Sequence, residues 1–182
     1  MNILIGILLA VVIAEVISAM MHHAEDRYGN IEWIDSKNPI LRFIGKNVVS
    51  PNIEHHQFPG RICYSSYWER NNTTIIPSLI LAACFWWCWP ICLGFLIMSQ
   101  SNQIHMLSHK KSNSFIRFLQ KIRILNSPKL HAIHHKMPFS TDFAVITGFM
   151  NPILNFIRFW TILEIIYWVL FGIRPLKVRE IY

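Results

Sequence analysis

Three apolar blocks separated by polar segments dominate the pattern of the chain. The first block covers residues 3–20 and is interrupted only by Glu15 and Ser18. Its length, about 18 residues, is just sufficient for a helix that spans a bilayer. No basic residue precedes the block, whereas a cleaved signal peptide usually begins with one. The pattern therefore favours a retained membrane anchor over a cleaved signal peptide.

A polar stripe runs along the first block and continues beyond it. Its members, spaced at i, i+3, i+4, i+7 and i+11, are Glu15, Ser18, Ala19, His22 and Asp26. This spacing places them on one face of a single helix, and His23 is turned about 100° away. A polar face on a membrane helix normally points into a bundle or a cavity. The alternative is that Glu15 alone reaches out to the membrane surface.

The second block, residues 75–98, has two interpretations. It is too short for two full spans, which need about 40 residues, so it forms either a short re-entrant hairpin turned at Pro90 or one kinked span. His55-His56 precede the block and His105 follows it. If these histidines bind at one site, the chain must return to the side from which it came. That condition favours the hairpin.

The remaining segments predict shorter helices. Residues 27–72 are polar and rich in turn formers, which is compatible with short helices along the membrane surface. Residues 115–125 carry an apolar stripe at helical spacing and predict an amphipathic interfacial helix. The third block, residues 143–172, is broken at Asn151-Pro152 and predicts a short apolar segment followed by a helix around Phe159–Phe171.

Composition supports a membrane protein of one domain, residues 1–182. The chain is 53% hydrophobic and 15% charged, whereas soluble domains carry about 25% charged residues. The net charge is +7, and residues 110–141 contain seven basic and no acidic side chains, which is typical of loops on the cytoplasmic side. Since the basic residues stand between apolar segments and form no separate arm, nucleic-acid binding is excluded as a function class. The four cysteines fit small packing residues better than a disulfide framework.

All nine histidines fall in four groups, each beside an apolar block. The groups are His22-His23, His55-His56, His105 with His109, and His131 with His134-His135. Side chains three or four residues apart project from one helical face, so such pairs can bind one metal ion. A zinc hydrolase needs only three protein ligands, and eight or nine imidazoles suit two ions instead. Imidazole binds zinc, copper, iron and nickel, and histidine-rich ligation is characteristic of membrane-bound di-iron enzymes that activate oxygen.

At these residues the sequence resembles the Kua-type lipid desaturase family, from about Glu15 to Arg174. The family's motif His-Trp-x-x-Asp-x-x-Gly matches residues 22–29, with His23 at the tryptophan, and Glu-His-His-x-x-Pro matches residues 54–59. Its third motif, Asn-Gln-x-His-x-x-Ser-His, matches residues 102–109. His-x-x-His-His-x-x-Pro matches residues 131–138, and Thr-Gly-aromatic-x-Asn matches residues 147–151. Asp142 stands where an aromatic residue is usual.

The resemblance implies an O₂-dependent membrane desaturase with two non-haem irons. The irons would take electrons from an external donor of the cytochrome b5 or ferredoxin type. The expected ligands are His22, His55, His56, His105, His109, His131, His134 and His135, with His23 as a possible ninth. Asp26, Glu54 and Asn102 are candidates for orienting imidazoles, and Asn151 for holding a metal-bound water.

The expected substrate is a membrane lipid, and its chemical class has two interpretations. One is the alkyl ether chain of an ether phospholipid, which would become a vinyl ether. The other is a fatty-acyl chain that is desaturated or hydroxylated by the same fold. A non-catalytic metal-binding membrane protein is the alternative from another functional class. In each case the expected fold is an all-α multi-pass membrane bundle with a transmembrane anchor, the hairpin or kinked span, interfacial helices and a histidine cluster that faces the cytoplasm.

Overall fold

A computed structural model describes residues 2–176, and within that range all regular structure is helical. Met1 and residues 177–182 of the expected single domain lie outside the described residues. The α-helices are α1 (Ile3–Tyr28), α2 (Pro39–Ile44), α3 (Ser50–Gln57), α4 (Tyr67–Cys84), α5 (Trp89–Met98), α6 (Ser101–Leu107), α7 (Ser114–Lys121), α8 (Pro128–His134), α9 (Asn151–Phe156) and α10 (Phe159–Phe171). The helical class predicted from the sequence is therefore confirmed.

The central element is α1, which continues well beyond the first apolar block. The Asn2 side chain accepts a hydrogen bond from the Leu4 amide and caps the helix, which then runs for 26 residues, or about 39 Å. Within the described residues, α1 is the helix long and apolar enough to cross a membrane. All five members of its polar stripe are buried, Glu15 completely so, and the stripe faces the interior as predicted.

The second apolar block forms two helices that reverse the chain. The turn lies at residues 85–88, just before Pro90, because Pro90 belongs to the first turn of α5, where proline is well tolerated. Hydrogen bonds then join the start of α4 to the residues after α5: the Tyr67 hydroxyl donates to Gln100 and the Thr74 hydroxyl to the Ser99 carbonyl. This return brings α6, which carries His105, back beside the start of α4.

Short helices fill the polar segments on both sides of this hairpin. Between α1 and α4 the chain forms α2, α3 and three single turns, a 3-10 turn at Ile31–Asp35, a π turn at Gly45–Val49 and a 3-10 turn at Pro59–Cys63. The predicted amphipathic helix is α7, with Phe115 and Phe118 exposed on its surface. It ends at Lys121, because Arg123 has a positive φ of 60°.

The end of the described chain closes the core over α1. Phe143 and Ala144 are completely buried and pack with Ala19, Leu154 of α9 and Trp160 of α10. The break predicted at Asn151-Pro152 marks the start of α9, and α10 has the predicted bounds Phe159–Phe171. An irregular segment, residues 139–150, thus lies between the last histidine group and α9, and its residues 143–148 are buried. It becomes important for the site.

Candidate metal centre

Eight of the nine histidines meet at one place, where they form two adjacent groups. The first, the five-histidine group, consists of His55, His105, His109, His131 and His135. The second, the aspartate–histidine group, consists of His22, Asp26, His56 and His134. Within each group the nitrogen or oxygen atoms that could bind a metal lie within 4.8 Å of one another. The rings of His56 and His135, one from each group, have centroids 4.9 Å apart.

The distribution of the side chains over the two groups follows helical geometry in several places. Residues four apart on a helix share a face, and accordingly His105 and His109 lie in one group, as do His22 and Asp26. Neighbouring residues point about 100° apart, and the doublets His55-His56 and His134-His135 are split between the two groups. Each of these doublets therefore contributes one imidazole to each group and holds the two groups side by side.

In the five-histidine group, ring nitrogens lie directly opposite one another. The Nε2 atom of His131 lies 2.7 Å from that of His105 and 2.9 Å from that of His135, and the Nε2 atoms of His105 and His109 are 3.3 Å apart. A metal ion that binds imidazole nitrogens at about 2.1 Å also brings neighbouring nitrogens to about 3 Å from each other. The spacing therefore fits a shared ion.

His55 gives a further indication of a metal ion in this group. Both of its ring nitrogens are buried, and neither has a hydrogen-bonding partner among residues 2–176. A buried imidazole without partners is costly, because it has given up its hydrogen bonds to water. A metal ion would satisfy one nitrogen of His55 and explain the convergence of its neighbours.

The charge state of these imidazoles suits metal binding. Burial, followed by the charges of His56 and His134, lowers the pKa of His109 to about 4. Burial and then the neighbouring histidines likewise lower the pKa of His135 to about 2 and that of His105 well below its usual value. The rings are consequently neutral near pH 7, and a neutral imidazole has the free lone pair that a metal ion requires.

In the aspartate–histidine group, the Asp26 carboxylate lies among three imidazoles. Its Oδ1 atom is 2.9 Å from Nε2 of His56, and its Oδ2 atom is 3.1 Å from Nε2 of His134 and 3.7 Å from Nε2 of His22. All four side chains are buried. One carboxylate with three imidazoles is a donor set suited to a divalent ion, and its negative charge offsets half of the ion's charge.

Backbone carbonyls orient two rings of the aspartate–histidine group. The Nδ1 atom of His22 donates to the Phe143 carbonyl at 3.2 Å, and Nδ1 of His134 donates to the Thr141 carbonyl at 2.9 Å. These bonds leave the Nε2 lone pairs directed at the shared site, as is usual for histidines that bind metals. Both carbonyls belong to the irregular segment of residues 139–150, which therefore shapes the site although it holds no histidine.

Glu15 fastens this segment to α1. Its carboxylate accepts hydrogen bonds from the backbone amides of Ile146, Thr147 and Gly148, at 3.3, 2.9 and 2.7 Å, and also from the Thr147 hydroxyl. Gly148 has a φ of +73°, a conformation in which other residues are strained. The Thr147-Gly148 pair thus wraps around a carboxylate that lies about two helix turns before His22, the nearer of the two metal-binding side chains of α1.

His23 lies outside both groups. Its ring stacks on Trp160 of α10, with centroids 5.1 Å apart, and its Nε2 atom lies 3.3 Å from Glu164, which also accepts a hydrogen bond from Arg27. The ring is completely buried, so it points into the protein but toward α10. The structure thus places the possible ninth ligand in a contact between helices.

Three of the four expected supporting residues have partners other than imidazoles. Glu54 pairs with Arg61 at 2.9 Å near the surface. The Asn102 amide donates to the Arg70 carbonyl, and Asn151 exchanges two hydrogen bonds with the backbone of Ala144. Asn102 and Asn151 thus join backbone segments, and Glu54 forms an ion pair. Asp26 alone of the four contacts imidazoles.

Two further residues support the site, Glu15 and Asn52, and neither is among the expected supporting residues. The Asn52 amide donates to Oδ1 of Asp26 at 2.7 Å. Asn52 precedes His55 by three positions and His56 by four on α3, and this spacing could have identified it. The polar stripe predicted that Glu15 faces inward. It could not predict the hydrogen-bonding partners of Glu15, which lie more than 130 residues further along the chain.

A cavity of about 550 Å³ opens beside the two groups. Its inner wall includes His22 of the aspartate–histidine group and His55 and His105 of the five-histidine group. Polar side chains such as Asn52, Asn72 and Thr73 form much of the remaining surface. A ligand in this cavity would therefore touch both candidate metal positions and lie among several polar side chains.

Comparisons with known proteins point to one family. The profile of the family described as the lipid desaturase domain matches residues 11–178. The chain is 28% identical to plasmanylethanolamine desaturase 1 of Mus musculus over 95% of its length and 68% of that protein's. It is 29% identical to plasmanylethanolamine desaturase of Myxococcus xanthus, over 87% of this chain and 58% of that one.

A plant relative is similarly distant. The chain is 26% identical to the chloroplastic fatty acid desaturase 4 of Arabidopsis thaliana, over 93% of this chain and 53% of the relative. The chain thus spans about half to two thirds of the length of these curated relatives. No solved structure matches it.

Proposed function

The chain belongs to the lipid desaturase domain family and, as a desaturase, is an oxidoreductase; from that premise we propose that it uses two irons and O₂ to form a vinyl ether in a membrane ether phospholipid. The observation that carries the proposal is the convergence of eight histidines and Asp26 into two adjacent groups beside one cavity. Two ions, one in each group, would use every histidine that the family resemblance assigns, with His23 excepted.

The five-histidine group would hold one ion and the aspartate–histidine group the other. When bound, the irons supply the oxidising power, from O₂ and two donor electrons, that is needed to break two unactivated C–H bonds. Overall, the lipid loses two hydrogens, O₂ takes up these with two protons and two electrons, and two waters form. No side chain of the protein can perform that oxidation, so the protein's part is to position the groups and to exclude water.

The chain's own residues support these two tasks. Asp26, the Phe143 carbonyl and the Thr141 carbonyl orient the imidazoles of one group, so that little reorganisation is needed when an ion binds. Phe143 and Phe139 are buried beside these rings and separate them from solvent. The cavity leaves one side of both groups open, and a lipid can approach through it.

The polarity of the cavity favours an ether phospholipid. In an alkyl ether lipid, the carbons that become the vinyl ether are the first two of the chain, next to the glycerol and its polar headgroup. A site that oxidises these carbons must hold polar groups near the metals, whereas a site that desaturates the middle of a chain needs a long apolar channel. The lining by Asn52, Asn72 and Thr73 fits the first requirement. The names of the mouse and Myxococcus relatives support the same substrate class.

The membrane arrangement is part of the proposal. We propose a single multi-pass domain, in which α1 spans the bilayer, α4 and α5 enter it as a hairpin and α7 lies at its surface. The seven cations of residues 110–141 would place the histidines on the cytoplasmic side. A donor of the cytochrome b5 or ferredoxin type, approaching from that side, would supply the electrons.

Expression in cells that contain plasmanyl lipids but no desaturase for them tests the function. Lipid mass spectrometry is expected to reveal vinyl ethers that appear only in the presence of the chain and O₂. Asp26→Asn is the matched control, because it keeps the shape of the side chain but removes its charge. Purified wild-type protein reconstituted without oxygen should bind two irons. A new acyl double bond without vinyl ethers would establish the acyl alternative, and zinc binding without O₂ consumption would refute the desaturase.

A further inference from the structure

A second cavity adjoins the polar one, and the two differ sharply in character. It is an apolar groove of about 500 Å³ between α4 and the segment of residues 43–48. Its walls are formed mainly by Phe43, Ile44, Trp68, Ile76 and Pro77. Val48, Asn72 and Thr73 line both cavities, so the groove begins where the polar cavity ends. This volume is within the range of roughly 300–1,000 Å³ that is typical of ligand sites.

The two cavities differ in whether histidines line them, and this difference suggests a separate role for each. His22, His55 and His105 line the polar cavity, whereas no histidine of either group lines the groove. Carbons that are to be oxidised must lie against the histidines, so the groove takes a part of the ligand that does not react. Since no charged residue lines the groove, that part is hydrocarbon.

The polar cavity is lined by three carboxylates, those of Glu25, Glu54 and Glu69, and by three cations, those of Lys46, Arg61 and Arg70. Glu54 pairs with Arg61, and the Arg70 guanidinium donates to the carbonyls of Ile62 and Ser65 and to Gln103. Lys46, by contrast, is exposed and has no hydrogen-bonding or ion-pair partner among the described residues. This cation stands beside Asn47 and Val48, close to the junction with the groove, where it can bind a lipid phosphate.

We propose that the groove binds the acyl chain that is not desaturated, while the polar cavity holds the glycerol and phosphate of the same lipid beside the histidines. This inference rests on the proposed function, because it takes an ether phospholipid as the substrate. Two chains diverge from neighbouring glycerol carbons. With the glycerol between the two cavities, one chain meets the histidines and the other enters the groove. The site therefore recognises a two-chain phospholipid rather than a single-chain lipid.

Photo-crosslinking tests the groove without any turnover. The probe is an alkyl-acyl ethanolamine phospholipid that carries a diazirine in the middle of its acyl chain, mixed at low mole fraction into nanodiscs with the full chain. Crosslinks are expected on α4, at the positions of Trp68, Ile76 and Pro77, and an excess of unlabelled alkyl-acyl lipid should compete with them. The same diazirine in the alkyl chain should label the histidine side instead, on α1 or α6.

Ile76→Trp and Leu79→Trp form a matched pair on α4. Both side chains are about half exposed, but only Ile76 lines the groove. Filling the groove should reduce acyl-chain labelling about tenfold in Ile76→Trp, because the larger side chain occupies the space of the acyl chain, and leave the labelling of Leu79→Trp unchanged. If Ile76→Trp fails to fold, Trp68→Ala enlarges the groove and should shift the crosslinks along α4.

Each outcome decides between the inference and the function on which it rests. Labelling spread evenly over the exposed apolar faces of α1 and α10, or not reduced by competitor, indicates bulk bilayer lipid and overturns the groove. Labelling of the groove by the alkyl-chain probe also overturns it. Vinyl ether formation without groove labelling refutes the inference and leaves the proposed function intact. If the groove is labelled but the protein forms no vinyl ether, the inference stands and the proposed function is refuted.

Discussion

The two metal-binding groups use different means to hold their imidazoles. In the aspartate–histidine group, Asp26 supplies a negative charge, and backbone carbonyls accept hydrogen bonds from Nδ1 of His22 and His134. In the five-histidine group, the buried Nδ1 atoms of His55, His131 and His135 have no hydrogen-bonding partner among residues 2–176. The fold orients the imidazoles of the first group through hydrogen bonds before a metal binds. The imidazoles of the second group are held by packing against one another. We therefore expect the aspartate–histidine group to be the more specific site and the five-histidine group the more tolerant one.

The largest effects should come from removing one imidazole from each group. His134→Ala and His109→Ala should both reduce turnover by more than about 100-fold, because each deletes a ligand. Their iron contents should differ. His134→Ala leaves three donors and should fall to about one iron per chain by elemental analysis, whereas His109→Ala leaves four imidazoles and should retain nearly two. Equal losses of iron in the two variants would mean that the groups act as one unit and that they do not differ in tolerance.

Removing the charge of Glu15 should affect one group alone. In Glu15→Gln, one carboxylate oxygen becomes an amide that cannot accept from the backbone of residues 146–148, and the segment carrying the Thr141 and Phe143 carbonyls loosens. Iron affinity should fall about tenfold at the aspartate–histidine group, the lower end of effects seen for groups that orient ligands. A titration against a competing chelator would measure both sites.

Glu69→Gln is the matched control for Glu15. Glu69 is also a helical carboxylate that accepts a backbone hydrogen bond, but its partner is Ser66 at the start of α4. It should change neither site. If Glu15→Gln weakened both sites equally, Glu15 would stabilise the bundle in general and would not position one group.

Substitution of His23 should have a smaller effect, and it tests whether this histidine belongs to the aspartate–histidine group. His23→Ala should lower activity less than tenfold and retain both irons, while His22→Ala should abolish activity. The substitution removes the stacking on Trp160 and one hydrogen bond to Glu164, which together contribute about 1–3 kcal/mol to stability. Elemental analysis and thermal unfolding of both variants would separate these effects. Equal loss of iron in the two variants would make His23 a ligand.

The same residues indicate how far sequence reasoning reaches. Helical spacing placed His22 and Asp26 together, as well as His105 and His109, and the structure agrees. The same reasoning treated His131, His134 and His135 as one face, although His134 joins a different group from the other two. Local geometry predicts which neighbouring side chains can meet. It does not determine how a doublet is shared between two sites, because that depends on what packs opposite.

Contacts outside a regular helix were beyond prediction for the same reason. Asn151 has a conspicuous place in its motif, and its actual role is to fix the backbone at Ala144, seven residues away. The bond between Glu15 and Thr147 spans 132 residues. A polar stripe can indicate that Glu15 faces inward, but its partner is decided by the path of the chain after α8.

Glu54 should give the smallest effect, although it adjoins two of the histidines in sequence. Its carboxylate pairs with Arg61, and both side chains are about half exposed, so the ion pair contributes at most about 1 kcal/mol. Glu54→Gln should therefore keep both irons and change turnover by less than about twofold. Asp26→Asn, the same change of charge at a buried carboxylate, should eliminate turnover. A large loss in Glu54→Gln would mean that the five-histidine group also depends on a nearby carboxylate, and the two groups would then be held by the same means.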